Sequence, residues 1–313
     1  MNVLVVGGAG FIGSHLCDAL LEAGDRVVCV DNFSLGTRKN VEHLMNHPAF
    51  RLYEADAADR EALDGIFRKE EPGHVFHLAA NSDIQASAGN PEVEYRNTYT
   101  TTFQILSCMR EYGVRKLFFA STSAVYGNRG EELLDENTPG LNPVSYYGAA
   151  KLGSEALVSA FSYMNDMDAL VFRFPNVIGP RLTHGVVFDF IHRLEQDGKN
   201  LRILGDGRQT KPYIHVTDLV RAIMQFKDTG EHGVSLYNVG VEGATSVTAI
   251  ADIVCEEMGL ENVAYHYTGG EGGWKGDVPR FRYCIDKIHR AGWKARHTSD
   301  EAVQETVRQN LGR

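Results

Sequence analysis

A chain of 313 residues, 43% hydrophobic and 23% charged, can bury one large core or two lobes sharing a cleft. Its 31 basic against 41 acidic residues give a net charge of −10 with no basic block, which argues against nucleic acid or anionic membrane as a general partner. No segment approaches the roughly twenty apolar residues of a membrane span. The first apolar run is strand-length and has no basic region before it, so it does not read as a signal peptide. Cys17, Cys29, Cys108, Cys255 and Cys284 show no paired spacing. They read as buried thiols in a reducing cytoplasm, with no disulfide and no metal site expected.

Val3 to Val6 is a short, fully apolar run that meets Gly7, Gly10 and Gly13, after which Ile12, Leu16, Leu20 and Ala23 recur at helical spacing up to Gly24. A buried parallel strand, a tight glycine turn and a helix start aim backbone N–H groups at one point, a cradle for a pyrophosphate. A second apolar run, Arg26 to Asp31, ends in an acid about twenty residues on, where a carboxylate accepts from ribose hydroxyls and repels a 2′-phosphate. The pattern predicts NAD rather than NADP.

Further along the chain, Asn32–Asn40 reads as a polar loop followed by a short helix up to His47, and Phe50–Asp56 as a third strand. Asp56 suits either an adenine amino group or a helix cap. Arg60–Lys69 is predicted as a helix with Leu63, Ile66 and Phe67 inward, and His74–Ala80 as a fourth strand whose small end, Ala79 and Ala80, lets a dinucleotide lie close. His77 reads as a strand residue with a satisfied ring. Asn81–Pro91 is predicted as a loop over a cleft, and Pro91–Tyr112 as a long helix with Phe103, Leu106 and Met109 on one side. Lys116–Ser121 is the fifth strand and Val171–Pro175 the sixth. This alternation predicts an α/β, Rossmann-type doubly wound parallel sheet with a smaller C-terminal α/β substrate lobe. The division expected is 1–174 for the dinucleotide domain, with segments near 213–240 returning to it, and 175–313 mainly for the substrate lobe. Phe188–Asp197, Val247–Met258 and Asp300–Leu311 are helices of that second half.

Tyr147-Gly-Ala-Ala-Lys151 places a tyrosine and a lysine four apart, on one face of a helix that begins near Ser145 or Tyr146. A free tyrosine has a pKa of about 10. An ammonium one turn away stabilises the phenolate, which makes a tunable acid/base. The pair follows a strand ending Ala120-Ser-Thr-Ser-Ala-Val-Tyr-Gly127, whose hydroxyls lie where ligands bind in open α/β folds.

With these motifs, Asn97, Arg173-Phe-Pro-Asn176-Val-Ile-Gly-Pro-Arg181, Gly205-Asp-Gly207 and Tyr213-Ile-His-Val216-x-Asp218, the chain resembles an extended short-chain dehydrogenase/reductase. It is similar to the NAD-dependent nucleotide-sugar epimerase/dehydratase family and closest in character to the sugar 4-epimerases. The resemblance implies that NAD lies along Gly7, Gly10, Phe11, Ile12 and Gly13, with Asp31 and Asn32 at its ribose. It adds Asp56 and Ala57, then Leu78, Ala79 and Ala80, then Asn97, Tyr147 and Lys151 to the cofactor contacts. Tyr147 is implied as the base at the sugar C4 hydroxyl, Lys151 as the residue that lowers its pKa, and Thr122 as the bridge between the C4 oxygen and Tyr147. Asn81 and Asn176 are candidate sugar or nucleotide contacts, and Tyr213 lies in a substrate motif. The implied partner is a nucleotide-diphosphate sugar, UDP by default with GDP or CDP open. A homodimer through the long helices is also implied.

Two departures bear on the reaction. The family's dehydratases carry Asp-Glu after the Ser/Thr, whereas Ser123 and Ala124 follow Thr122 here. Lys211-Pro212 stands where Arg-Asp is usual before Tyr213, and Gly272-Gly-Trp-Lys-Gly-Asp277 replaces an arginine-rich run. Arg181, Lys211, Lys275 and Arg280 are therefore the candidate phosphate cations, and Trp274 a candidate stacking residue. The reading expected is a 4-epimerase. A C4 oxidoreductase or 4,6-dehydratase is the alternative, and a non-catalytic NAD-binding sensor the remote one.

Overall fold

The computed structural model describes residues 1–229, 232–270 and 276–313, with backbone alone at 85 and 86. Seven strands form the main sheet: β1 (Asn2–Val6), β2 (Arg26–Asp31), β3 (Phe50–Glu54), β4 (His74–His77), β5 (Lys116–Thr122), β6 (Asp168–Phe174) and β7 (Val234–Asn238). Their order is β3-β2-β1-β4-β5-β6-β7, and the ladders from β3 to β5 are parallel. The order reverses between β1 and β4, the switch point at which ligands bind in doubly wound sheets. Register makes this concrete. Val6 pairs with Val30 on one side and His77 on the other, and His77 pairs with Phe119. The glycine turn, Asp31, Leu78–Ala80 and the end of β5 consequently emerge along one edge.

Hydrophobic runs explain the burial. Val3–Val6 and Val27–Val30 are covered on both faces, as a parallel sheet requires. Helix α1 (Phe11–Glu22) buries Leu16, Cys17, Leu20 and Leu21. Helix α2 (Arg60–Glu70) starts on Asp59, whose side chain accepts from the Glu61 and Ala62 N–H groups, and buries Leu63, Ile66 and Phe67 as its spacing predicts.

The predicted Pro91–Tyr112 helix is broken in character. It runs as a short turn (Pro91–Glu94), a π-helical turn (Tyr95–Thr100) and helix α3 (Thr101–Glu111). Phe103, expected inward, is 44% exposed. The inner stripe is Thr102, Ile105, Leu106 and Met109, which puts Phe103 about 100° round, edge-on to Phe161. Helix α4 (Tyr146–Asn165) is capped by Ser145, whose Oγ accepts from the Gly148 N–H at 3.1 Å. The short helix expected before His47 is replaced by two 3₁₀ turns, Arg38–Asn40 and Glu42–Leu44.

The chain divides into two compact units: Met1–Val125, Ser145–Arg173 and Val220–Tyr237 form the first, and Tyr126–Val144, Phe174–Leu219 and Asn238–Arg313 the second. The stretch 126–144, which the sequence reading keeps with the dinucleotide domain, groups with the second unit. Helices Val186–Gln196, Val247–Met258 and Ser299–Asn310 enclose the second unit's own core around Leu201, Ile203 and Tyr213. Among the described residues no helix is long and apolar enough to cross a membrane. All five cysteines are free, and four of them are buried.

Candidate active site

Gly7 sits at φ +83°, and a Cβ there would stand 2.7 Å from the Ala79 nitrogen. A side chain at Gly13 would collide with the Gly7 carbonyl oxygen. Only glycine lets the turn pass under β4 and over the start of α1. Gly10 is the N-cap of α1, makes no side-chain cap, and no acid occupies the first turn. The leading N–H groups of the helix are left for an anion.

Asp31 closes the other side. Its Oδ2 accepts from the Ala9 N–H at 2.9 Å and its Oδ1 from the Phe33 N–H at 2.8 Å, which fixes the carboxylate while each oxygen keeps a lone pair for a hydroxyl. Burial pushes this carboxyl above its ordinary value, and the N–H groups of Phe33, Ala9 and Gly10 oppose the rise. The following loop folds back: the Thr37 N–H and the Asn40 Nδ2 both donate to the Ala9 carbonyl, at 3.1 and 3.0 Å. Asn40 thus braces the turn, a role that its place in a polar loop does not announce. A cradle closed to side chains, a free helix start and a fixed carboxylate fit a dinucleotide diphosphate and its ribose. Asp56 accepts from the Ala58 N–H through Oδ1 and pairs with Arg96 through Oδ2 at 2.6 Å. Ala57 is buried, and Asn97 lies half-buried within the π-helical turn.

At the end of β5, Tyr147 faces Thr122, which is 8% exposed and whose Oγ1 accepts from the Ala124 N–H at 3.2 Å. Burial, then the negative charge of Glu94, push the Tyr147 hydroxyl above its ordinary value, while the Thr122 hydroxyl pulls it down. Lys151 is 2% exposed and donates from Nζ to the Ala120 carbonyl at 2.7 Å. Its ammonium also faces the Phe119 ring at 4.9 Å and the Tyr147 ring at 6.0 Å. Burial pulls Lys151 down to about 8 against the opposing charges of Glu94 and Glu155. The spacing of Tyr147 and Lys151 puts both on one face of α4, with the ammonium over the Tyr147 ring and anchored on Ala120.

Other expected residues sit differently. Asn81 turns inward: its Nδ2 donates to Glu94 Oε1 at 2.7 Å and to the Asp83 carbonyl at 3.1 Å, so its amide protons are spent within the protein and are not free for a sugar. His77 has one ring nitrogen on Thr102 Oγ1 at 2.9 Å, while its Nδ1 is buried with no partner, so its ring is only half satisfied. Glu94, and a Glu155–Arg173 pair beside Ser121, are charged groups that the sequence pattern does not single out. Glu155 is one helical turn beyond Lys151, the spacing that could have flagged it.

In the second unit, Asn176 stands opposite Tyr213 in a parallel ladder, and the Tyr213 backbone N–H donates to Ser299 Oγ at 3.1 Å. Burial, with Asp277 nearby, pushes the Tyr213 hydroxyl up. Lys211 Nζ is 2.5 Å from Asp277 Oδ1, so this candidate phosphate cation already has an anionic partner. Arg181 adopts a left-handed backbone at φ 70°, and Arg280 is exposed. Trp274 and Lys275 lie outside the described residues.

Known proteins match this chain along most of its length. The family model described as "NAD dependent epimerase/dehydratase family" matches residues 3–240. The chain belongs to this family. The UDP-glucose 4-epimerase of Mycolicibacterium smegmatis is 34% identical over 313 residues, covering 98% of this chain and 97% of its own. The Thermus thermophilus UDP-glucose 4-epimerase in complex with NAD superposes with a TM-score of 0.89 at 30% identity, covering 100% of this chain and 99% of that one. The dTDP-glucose 4,6-dehydratase DesIV of Streptomyces venezuelae, with NAD bound, gives 0.90 at 27% identity, covering 100% and 97%. As a member of the NAD dependent epimerase/dehydratase family, this protein is an enzyme with NAD as its cofactor. The overall fold does not separate epimerase from dehydratase, because both superpose equally well.

Proposed function

We propose that this enzyme is a nucleotide-sugar 4-epimerase, with UDP as the nucleotide. One observation carries the reading: Tyr147 and Lys151 lie one turn apart on α4 at the end of β5, where Thr122 faces Tyr147, while Ser123 and Ala124 supply no carboxylate for eliminating water. Thr122 orients the C4 hydroxyl toward Tyr147. Tyr147 takes the hydroxyl proton as C4 is oxidised and returns it when the opposite face of the keto sugar is reduced. Lys151 supplies the positive charge that makes the phenolate accessible. NAD, when bound, supplies the hydride acceptor and donor.

Gly7, Gly10, Phe11, Ile12 and Gly13 hold the pyrophosphate, and Asp31 holds the ribose. Asn176 and Tyr213 are assigned to the nucleotide, with Arg181 and Arg280 as the remaining candidate phosphate cations, since Lys211 is paired with Asp277. The name of the M. smegmatis relative supports UDP. A second copy of the chain covers the outer faces of the π-helical turn and α4, where Tyr95 is 66%, Tyr163 87% and Met164 76% exposed. Buried free thiols fit a cytoplasmic location.

The test is to incubate purified protein with UDP-, GDP- and CDP-sugars and score C4 isomers by NMR. The expected result is interconversion of one UDP-sugar pair with no net change in cofactor. Loss of water, or a keto sugar with reduced cofactor, would favour the dehydratase or oxidoreductase instead.

A further inference from the structure

Glu94 ends the helical turn Pro91–Glu94 and is 1% exposed. Its Oε1 accepts from Asn81 Nδ2 at 2.7 Å and its Oε2 from Thr98 Oγ1 at 2.9 Å. Thr98 Oγ1 also accepts the Asn81 backbone N–H at 3.3 Å, so its own proton is left for Glu94. Both carboxyl oxygens are acceptors, the pattern of an ionised group. Among the described residues no basic side chain lies within ion-pair distance of it. A buried carboxylate held only by neutral donors is costly to keep. An amide would fill the same space but would set its NH2 against one of these two donors.

What lies across from it is the catalytic pair. Helix α4 packs on both the Pro91–Glu94 turn and the π-helical turn, which sets Tyr147 and Lys151 within electrostatic reach of Glu94. The polar and charged groups facing Glu94 are few. Among the described residues they are Thr98 on the turn that follows, Asn81 on the loop after β4, and Tyr147 and Lys151 on α4. Glu155, the next acid along α4, is already held by Arg173.

We propose that Glu94 is a positioning residue for the Tyr147–Lys151 pair, the fixed negative charge that keeps the buried Lys151 ammonium charged and holds the proton on Tyr147. This rests on the Thr122–Tyr147–Lys151 reading of the site. The directions agree: Glu94 is the first of the two groups that oppose the burial of Lys151, and after burial it is the largest influence raising Tyr147. Glu94 thereby moves the working window of the pair toward higher pH on both sides.

The test compares wild type with Glu94→Gln as NAD-loaded enzymes. Two readouts are followed: the pH profile of kcat/KM, and the tyrosinate absorbance of Tyr147 taken as a difference against Tyr147→Phe in each background. The expected result is that both limbs and the tyrosinate midpoint move about one pH unit toward acid. The two profiles then cross, with the variant faster at low pH and slower at high pH. Glu94→Asp, with its charge drawn back by one methylene, gives an intermediate midpoint and carries the test alone if the glutamine variant does not fold. A uniform loss of activity with an unmoved tyrosinate midpoint would overturn the proposal. If wild type epimerises nothing, the proposed function fails, while the absorbance titration still decides the role of Glu94.

Discussion

Glu155 grips Arg173 on two edges of its guanidinium, Oε1 accepting from Nε at 3.0 Å and Oε2 from Nη2 at 2.6 Å. Both side chains are nearly closed to water, 5% exposed for Arg173 and 11% for Glu155. Ser121 Oγ donates to the same Glu155 oxygen. The pair therefore ties α4, β6 and the end of β5 together directly behind Lys151. Breaking one partner leaves the other charge stranded, at about 3 to 5 kcal/mol. Arg173→Leu is expected to lose stability on that scale in urea unfolding. A loss under about 1 kcal/mol would show that water reaches Glu155 and replaces the lost bonds.

Tyr147→Phe removes the group that carries the C4 proton while keeping the ring in place. Turnover is expected to fall by about 10² to 10⁴-fold, with bound NAD retained at the wild-type level. Co-purified cofactor, measured by absorbance after denaturation, separates the two effects. Near-normal turnover in this variant would remove Tyr147 from the mechanism.

Gly13→Ala forces a methyl group against the Gly7 carbonyl. The turn must open, so NAD retention and thermal stability should fall together. An alanine variant that purifies with full cofactor and unchanged melting would mean the turn adjusts at no cost.

His74 gives a pH signature in the folding equilibrium. Burial, then the charge of Lys116, pull it down to about 4, against about 6.5 in an unfolded chain. Between those values the unfolded state binds the proton first, so stability is full above about 6.5 and is lost as pH falls toward 4. The loss attributable to this residue is on the order of 3 kcal/mol. His74→Phe should flatten that part of the stability–pH curve. Parallel curves for the two proteins would assign the acid sensitivity elsewhere.

The sequence disclosed features enforced by the backbone or by strict spacing. Gly7 and Gly13 are legible because no other residue fits there, Asp31 because it closes a strand at a set distance, and the Tyr147–Lys151 face because helical period dictates it. The start of helix α4 is legible to within a residue, at Ser145 or Tyr146, while the Ser145 cap itself shows only in the structure. Glu94 was not, because a glutamate in a helical run looks like any solvated charge. Its burial depends on a π-helical turn that hydrophobic periodicity does not encode. Phe103 failed for a related reason: Leu106 and Met109 belong to the buried stripe with Thr102 and Ile105, and Phe103 lies about 100° round from it. Lys211 was chosen for its charge alone, and its neutralising partner Asp277 lies 66 residues away in sequence.

The contact that Lys151 makes with residue 120 is to a main-chain carbonyl. A carbonyl is present whatever side chain position 120 carries. Drift at that position can therefore alter the packing beneath the lysine but cannot delete its anchor. Lys151 is thus moored to the one part of its neighbour that point mutation leaves untouched.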